Sequence, residues 1–239
     1  VFLSVFEPSW QKNNSIALKR VLTKVVVYLS LVSLFTDVAS EMLYPVLPVY
    51  LQSIGFSVLL IGLLEGLAEA VSGLSKGYFG KLSDARGRRM PFVRLGYTLS
   101  ALSKPLLALS SFPAWVFLAR TLDRFGKGVR TAPRDAVLAS EATSETRGKV
   151  FGFHRGMDTL GAVIGPLLAL AWLYYKPGNY RELFLVGFIP GVIAVLFTFL
   201  VKNKREAPKS EAPVRFFAFL SYWKEGGRQY RVLMIGLLA

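Results

Sequence analysis

The sequence predicts an all-α integral membrane protein whose helices cross the bilayer six times. Of its 239 residues, 53% are hydrophobic and 18% are charged, with a mean hydropathy of +0.43, whereas soluble domains carry about 25% charged residues. The apolar residues form six runs that meet the length of roughly 20 residues with which a helix crosses a hydrocarbon core of about 30 Å. Lysine and arginine collect between alternate runs, which is the pattern of the positive-inside rule.

The six predicted spans are joined by connectors of alternating character. They cover residues 24–51, 57–80, 91–111, 113–140, 149–174 and 182–201. The connectors after the first and third spans are short and uncharged, while those after the second, fourth and sixth are basic. The connector after the fifth span contains two basic residues, Lys176 and Arg181. The positive-inside rule therefore places the N-terminal segment, residues 1–23, in the cytoplasm, and we expect a bacterial inner membrane protein.

The sixth span is followed by a polar and then aromatic segment. Residues 202–230 are expected to form a cytoplasmic linker with an amphipathic part over 214–225. That part either lies in the headgroup plane of the membrane or packs as a helix on the cytoplasmic ends of the spans. Residues 231–239 have the composition of the start of a seventh transmembrane helix, belonging to a second bundle.

Composition excludes several kinds of chemistry. The chain has no cysteine, which removes disulfides, thiolate metal sites and cysteine nucleophiles. Its one histidine gives no cluster for a metal, so we expect no metal and no cofactor. The net charge of +14 raises the question of nucleic-acid binding. However, the basic residues are spaced between apolar runs instead of forming one stripe, so no nucleic-acid partner is expected.

Charged residues within the spans point to a polar interior. Each ionised group near the bilayer centre costs roughly 2.5–3.5 kcal/mol on insertion scales, so these groups should face one another or water. On the fourth span, several of them share one third of the helix circumference. They are Arg120, Asp123, Arg124, Lys127, Arg130 and Arg134. Other charged or titratable pairs stand one helical turn apart. They are Asp37 with Glu41, Glu65 with Glu69, and His154 with Asp158.

Eight of these residues are the candidates for substrate binding or proton coupling. They are Asp37, Glu41, Glu65, Glu69, Arg120, Arg124, His154 and Asp158. Carboxylates that share a confined site are suited to binding and releasing a proton, and arginines are suited to an anionic group or an acidic coupling partner. The near-balance of acidic and basic groups leaves a second interpretation open, in which the charges form a purely structural ion-pair network.

A short motif after the second span carries a resemblance to a known family. Residues 80–89, with the sequence GKLSDARGRR, resemble the signature loop of the major facilitator superfamily. In that family the aspartate and the basic residues form a cytoplasmic charge network that latches two halves of the transporter together. The resemblance implies that role for Asp84, Arg88 and Arg89, and it includes Gly80 and Gly87 in the same cytoplasmic gate motif.

Three further segments are similar to the same family. Residues 120–126, RTLDRFG, resemble its fourth-span arginine motif, with Arg120 as the buried arginine. Residues 161–166, GAVIGP, are similar to the fifth-span motif associated with antiporters, which implies a helix-packing role for Gly161, Gly165 and Pro166. Residues 35–45, FTDVASEMLYP, look like the first span of bacterial permeases of this superfamily. The resemblance implies that residues 24–201 form the N-terminal six-helix bundle of a twelve-helix transporter.

The resemblance also implies a function. Two six-helix bundles would rock about a central site, so the protein would be a secondary active transporter of a small solute by alternating access, not an enzyme. Proton coupling is expected from the carboxylates, the arginine face favours an anionic or zwitterionic solute, and the fifth-span motif favours efflux or antiport. The expected partners are membrane lipid, the solute, protons, and either the missing C-terminal bundle or a second chain.

Two alternatives from other classes stay open. One is a non-transporting membrane scaffold or accessory subunit with the same fold. The other is a lipid-acting membrane enzyme, although the sequence has no cysteine, no clustered histidines and no Gly-x-Ser-x-Gly elbow. The identity of the solute, the direction of transport and the coupling ion are not determined by the sequence.

Overall fold

The computed structural model describes residues 22–202 and 227–229. Its described part contains seven α-helices, which we number in chain order. They are α1 Lys24–Glu41, α2 Leu47–Ser53, α3 Val58–Arg86, α4 Met90–Leu109, α5 Pro113–Ser140, α6 Arg147–Tyr175 and α7 Tyr180–Leu200. The N-terminal segment up to residue 21, most of the predicted linker 202–230 and the predicted seventh span at 231–239 lie outside the described residues.

The helix ends follow from local sequence. The hydroxyl of Thr23 accepts a hydrogen bond from the amide of Val26 at the start of α1, and Ser57 accepts one from Leu60 at the start of α3. These side chains satisfy amides that have no partner within the helix. Gly87 ends α3 in the left-handed conformation, with φ 59°, which a glycine adopts without the steric cost of a side chain.

The first predicted span is two helices instead of one. The chain leaves the helical pattern after Glu41, makes turns over residues 42–46 and resumes as α2. Pro45 lies in these turns and Pro48 in the first turn of α2. Proline has no amide proton and clashes with the preceding turn, so it is tolerated at a helix start and interrupts a helix interior. The other five predicted spans correspond to α3 to α7 within a few residues.

Three of the described helices are long and apolar enough to cross a membrane by length and composition alone. They are α3, α6 and α7, the last with a mean hydropathy of 2.6 over its most apolar window. The helix α2 has only seven residues, and charged residues lower the hydropathy of α1, α4 and α5, most of all that of α5. As described below, most of those charges face neighbouring helices.

The six long helices form one continuous row of contacts. Its order is α3, α5, α4, α7, α1, α6, and α1 also touches α5 across the row. Two apolar clusters form the core. One, with Val26 and Met90, lies towards the turns at residues 87–89 and 141–146, which we name the basic end. The other, with Leu51 and Phe184, lies towards the connectors at 54–57, 110–112 and 176–179, which we name the opposite end.

Close helix contacts depend on glycines at a few positions. A Cβ atom at Gly161 of α6 would lie 2.5 Å from the carbonyl oxygen of Leu34 on α1, and one at Gly128 of α5 would lie 2.5 Å from that of Ser72 on α3. These distances are too short for any side chain. Most glycines of α3, by contrast, have no described neighbour within 4 Å, although their spacing also predicts close packing. They are Gly62, Gly66, Gly73 and Gly77.

Candidate substrate-translocation site

A set of charged side chains between α3, α4 and α5 is mutually paired. We name it the paired network; it consists of Glu65, Glu69, Lys104, Arg120, Asp123 and Arg124. Arg120 donates from Nε to Oε1 of Glu65 at 2.6 Å and from Nη2 to Oε2 at 2.8 Å. This two-point geometry is the strongest arrangement between an arginine and a carboxylate, and it fixes α5 against α3.

The centre of the paired network is a buried lysine. Lys104 of α4 is 2% exposed, and its ammonium donates to Asp123 of α5 at 2.8 Å and to the hydroxyl of Ser40 on α1 at 3.3 Å. Asp123 also accepts from Arg120 at 3.3 Å. The formal charges of the six side chains cancel, so the network removes the cost of burying each charge alone.

The network becomes more exposed towards Glu69. Arg124 lies 3.8 Å from Glu65 and 3.5 Å from Glu69, and its guanidinium stands 5.9 Å from the ring centroid of Tyr44. The side chain of Glu69 is 61% exposed, against 31% for that of Glu65. Glu69 is therefore the member of the network that an incoming group can reach, whereas the side chain of Arg124 is only 13% exposed.

A second set of charges lines a cavity between α1, α5 and α6, which we name the charged cavity. Its volume is about 400 Å³. Its lining consists of Asp37, Glu41, Lys127, Arg130, Thr131, Arg134, Arg155, Asp158, Thr159 and Ala162. The acidic groups come from α1 and α6 and most of the basic groups from α5. A charged solute in this cavity would therefore meet both signs of charge on different helices.

Three of the cavity groups are unpaired. Across residues 22–202 and 227–229, the carboxylates of Asp37 and Glu41 and the ammonium of Lys127 form no hydrogen bond and no ion pair. This distinguishes the charged cavity from the paired network, in which each charge has a partner. Unpaired ionisable groups at membrane depth are costly, and they are characteristic of solute and proton pathways.

The other basic groups of the cavity are held in place by neighbours. Arg130 donates to the hydroxyl of Ser100, and its guanidinium lies 4.5 Å from the ring centroid of Tyr97. Arg134 donates to Ser33 at 3.0 Å and to Asp135 at 2.9 Å. These contacts fix the two guanidinium groups and leave part of each facing the cavity. A donor that is already held in place binds an anionic group without the entropic cost of ordering its own side chain.

A histidine and an aspartate of α6 form a pair beside the cavity. Nδ1 of His154 lies 3.5 Å from Oδ2 of Asp158, and Arg155, whose side chain is 83% exposed, lies 3.9 Å from the same oxygen. Nε2 of His154 and Oδ1 of Asp158 are buried and have no hydrogen-bond partner among the described residues. Buried polar atoms are normally hydrogen-bonded, so these two atoms are exceptions within the described part of the chain.

The structure divides the eight candidate residues between the two sets. Asp37, Glu41 and Asp158 line the charged cavity, with His154 beside it. The remaining four, Glu65, Glu69, Arg120 and Arg124, belong to the paired network.

The cavity has further members beyond the eight candidates. They are Lys127, Arg130, Thr131, Arg134, Arg155, Thr159 and Ala162. Three of these residues could have been predicted from the sequence, because Lys127, Arg130 and Arg134 share one face of the fourth predicted span with Arg120.

The loop of residues 80–89 has a compact local structure. Oδ1 of Asp84 accepts hydrogen bonds from Nε of Arg89 at 3.2 Å and from Nη2 at 3.1 Å, which closes the turn around Gly87. A Cβ atom at Gly80 would lie 3.0 Å from that of Ala132 on α5. The side chain of Arg88 is exposed. The loop thus presents a basic surface at the basic end of the bundle.

The helix-packing residues of α6 lie against α1. Besides the contact of Gly161 with Leu34, a Cβ atom at Gly165 would lie 2.9 Å from the amide nitrogen of Met42. Pro166 follows within the helix. A Cβ atom at Gly161 would also lie 3.0 Å from the Cβ atom of Asp37. This packing therefore determines how far α6 stands from Asp37, one of the carboxylates that line the cavity.

No three acidic or histidine side chains in the described ranges, 22–202 and 227–229, are arranged to hold a metal ion.

Comparison with known proteins identifies the family. A model described as Major Facilitator Superfamily matches residues 29–239. The chain belongs to the major facilitator superfamily. An uncharacterised MFS-type transporter of Methanocaldococcus jannaschii is 38% identical over 84% of this chain and 50% of its own length. Citrate exporter 1 of Aspergillus niger is 27% identical over 72% of this chain and 32% of its own length.

A solved structure of the same superfamily agrees in fold. A peptide transporter crystallised with sulfate matches with a TM-score of 0.68 at 16% identity, over 90% of this chain and 46% of the other. At this identity the likeness concerns the fold alone. This chain spans about half the length, or less, of the relatives it matches.

Membership of the superfamily agrees with the sequence prediction in three respects. The fold is the all-helical bundle of this superfamily, the chain is an integral membrane protein, and it is no enzyme, because members of the family are transporters.

Proposed function

We propose that the chain forms one half of a secondary active transporter that moves a small charged solute by alternating access. The observation that carries this proposal is the charged cavity, in which Asp37, Glu41 and Lys127 form no hydrogen bond and no ion pair with any described residue. Binding of a solute or a proton would neutralise these groups and lower the cost of occluding them in a dry state. The transporter would then change its access from one side of the membrane to the other preferentially when the site is filled.

Protons are the proposed coupling ion. Asp37 and Glu41 lie one turn apart on α1, and Asp158 is on the facing helix α6. Neighbouring carboxylates disfavour ionisation of one another, so a proton on one of them is stabilised by its neighbours. The paired carboxylates Glu65 and Glu69 are held by arginines and serve in this proposal to hold α3 and α5 together.

An anionic or zwitterionic solute fits the cavity best. Lys127, Arg130, Arg134 and Arg155 offer donors to carboxylate or phosphate groups, and arginine binds such groups at two points. A relative named as a citrate exporter supports the anionic class and the outward direction. We therefore propose efflux, by antiport against protons, as the mode of transport.

The partner of this bundle is proposed to be a second six-helix bundle, from the rest of the same protein or from a second chain. Several glycines of α3 and α6 face open space, because a Cβ atom added at them would meet no described residue within 4 Å. These two helices stand at the ends of the row of helices, beside the two charged sets. The glycines are Gly62, Gly66, Gly73, Gly77, Gly148, Gly152 and Gly156. Small residues allow helices to approach closely in membranes. The curated relatives are about twice as long as this chain, and the additional length is sufficient for a second six-helix bundle.

The basic end is proposed to face the cytoplasm of a bacterial cell and to carry the gate. Its exposed Arg88 and the Asp84–Arg89 pair would contact the second bundle when the transporter is open to the other side. The positive-inside rule supports this orientation.

Citrate-driven proton movement in proteoliposomes tests the proposal. The full-length protein would be reconstituted with a pH-sensitive dye inside, and citrate would be the first probe. We expect Asp37→Asn to abolish citrate-driven pH change while exchange of labelled citrate across the membrane continues, because exchange requires no net proton movement. Glu145→Gln, in the exposed connector before α6, is the matched control and should behave as the wild type.

Two results would contradict the proposal. Unchanged citrate-driven pH change in both Asp37→Asn and Lys127→Gln would remove the charged cavity from the mechanism. A protein that moves neither citrate nor any solute in a panel of organic acids and zwitterions, and gains no thermal stability from them, would instead support a non-transporting scaffold.

A further inference from the structure

Arg130 is a buried cation without a counterion among the described residues. It is 6% exposed and lines the charged cavity, yet it forms no ion pair with any residue of 22–202 or 227–229. A buried charge without a partner is strongly destabilising, and an arginine cannot relieve that cost by losing its proton. An anion bound beside Arg130 would therefore be stabilised by a charge that the described residues leave uncompensated.

The free part of this guanidinium is the edge formed by Nε and Nη2. The other described arginines that are not exposed point the same edge at a carboxylate or at backbone carbonyls. Arg120, for example, binds both carboxylate oxygens of Glu65 through it. In Arg130 the edge has no acceptor among the described residues, because the hydrogen bond to Ser100 leaves from Nη1. The arginines with an occupied edge are Arg89, Arg94, Arg120, Arg124 and Arg134.

The free edge of Arg130 is accessible from the charged cavity. Within the described part of the chain, the inaccessible polar atoms without a hydrogen-bond partner include Nε2 of His154, but they include neither Nε nor Nη2 of Arg130. Both nitrogens are therefore open to solvent in the cavity that the residue lines. A solute in the cavity can reach them without any displacement of the helices.

Contacts with α4 hold Arg130 in place. The two backbones touch beneath it, because a Cβ atom at Gly96 would lie 2.5 Å from the carbonyl oxygen of Gly126 and 2.6 Å from the Cβ atom of Arg130. The ring centroid of Tyr97 lies 4.5 Å from the guanidinium. Ser100, which is 1% exposed and does not line the cavity, accepts from Nη1. A donor ordered in this way binds an anion at a low entropic cost.

The other cations of the cavity are less suited to hold one group of a solute in a fixed position. Lys127 is exposed and presents a single ammonium on a flexible stem. Arg134 has its Nε and Nη2 on the carboxylate of Asp135. The side chain of Arg155 is 83% exposed. Arg130 is thus the cavity cation that is both fixed and free to bind at two points.

We propose that Arg130 is the anchor for one carboxylate of the transported solute, which accepts hydrogen bonds from Nε and Nη2. This inference rests on the proposed function of the charged cavity and names the chemical class of its solute, an organic acid or an amino acid. The rest of the solute lies towards α1 and α6. There Asp37 and Asp158 favour a hydroxyl, an ammonium or a protonated carboxyl group over a second bare carboxylate. Ser100 is a positioning residue, because it contacts Arg130 and not the solute.

Thermal unfolding of the purified full-length protein with added solutes tests the anchor without requiring transport. Citrate, succinate and glutamate are the carboxylate probes, with dimethyl succinate and inorganic phosphate for comparison. We expect a carboxylate probe to raise the unfolding midpoint and the neutral ester to leave it unchanged. Arg130→Lys keeps the charge and loses the two-point geometry, so half of the shift should require at least tenfold more probe. Arg147→Gln, an exposed arginine at the start of α6, is the matched control and should respond as the wild type.

A second variant keeps the test informative if Arg130→Lys fails to fold. Ser100→Ala removes a hydroxyl outside the cavity, and we expect it to raise the half-saturating concentration of the same probe about fivefold, the effect of a weakened hydrogen bond. A purely structural role of Ser100 would instead lower the midpoint without probe and leave the half-saturating concentration unchanged.

Three results would overturn the anchor. They are a wild type that no carboxylate probe stabilises, equal half-saturating concentrations in the wild type and Arg130→Lys, and stabilisation by inorganic phosphate as strong as by the carboxylates. The second result leaves the proposed transport function standing. A wild type that binds carboxylates through Arg130 and moves none of them in proteoliposomes would contradict the transport function alone, so the two failures are distinguishable.

Discussion

Individual charges within this bundle differ in whether they have partners, and in the proposed function that difference separates charges with a structural role from charges that take part in transport. Lys104 and Asp123 are buried together at 2.8 Å, while Asp37, Glu41 and Lys127 have no partner in the described part of the chain. A buried charge pair is costly to break because removal of one partner leaves the other uncompensated. An unpaired charge beside a cavity can be neutralised by a ligand instead.

The first residue-scale prediction concerns the buried lysine. Lys104→Met leaves Asp123 with Arg120 as its remaining charged partner, and we expect it to destabilise the protein by about 3–5 kcal/mol. The double variant Lys104→Met with Asp123→Asn restores the charge balance of the paired network and should recover most of that loss. Denaturant unfolding in detergent micelles provides the comparison. Equal stability of Lys104→Met and the wild type, or no recovery in the double variant, would contradict the structural role of the pair.

At the scale of helices, glycines of similar spacing have different roles. A Cβ atom at Gly161 would lie 2.5 Å from the carbonyl oxygen of Leu34, whereas one at Gly156 on the same helix would meet nothing within 4 Å. The backbone of Leu34 cannot rotate away, so α6 itself must shift to make room. The same shift would widen the charged cavity, because Asp37 and Asp158 face it from these two helices.

An alanine pair tests this difference within α6. Gly161→Ala should lower the free energy of unfolding by roughly 1–3 kcal/mol, the usual cost of overpacking. Gly156→Ala should be neutral or should stabilise the chain of residues 1–239, studied without the second bundle, by up to about 1 kcal/mol, the helix-propensity gain of alanine over glycine. The midpoints of thermal unfolding of the two variants, measured side by side, provide the check. A similar shift in both would mean that α6 does not pack on α1 as described.

The helices themselves could be predicted from the sequence, but the sequence does not predict which helices pack against one another. Hydropathy and length predicted five helices within a few residues of their bounds. The first predicted span is divided into two helices, because the turn at Pro45 lies inside an otherwise apolar run. Helical periodicity showed that Asp37 with Glu41 and Glu65 with Glu69 share a face. Helical periodicity does not show which other helix a given face contacts. Only the packing of the helices in the structure shows that arginines lie against Glu65 and that Asp37 faces a cavity.

On the scale of the whole molecule, the proposed function makes this bundle one wall of a transport pathway. The charged cavity is bounded by α1, α5 and α6 in the described residues, and the superfamily to which the chain belongs has members about twice as long. In an alternating-access cycle the same cavity must become accessible from each side of the membrane in turn. The paired network would move with the bundle as a rigid part, because its contacts lie between α3, α4 and α5 of this one half.

Thiol labelling of a single cysteine in the charged cavity tests this account most directly. The present chain contains no cysteine, so Thr131→Cys, on the cavity wall, can be introduced into a cysteine-free full-length protein. Ser103→Cys, buried beside Asp123, is the control and should resist labelling. Alternating access predicts that a membrane-impermeant maleimide labels Thr131→Cys from either side of the membrane, and that citrate changes the two labelling rates in opposite directions. Labelling from one side alone, under every gradient and with or without citrate, would contradict it.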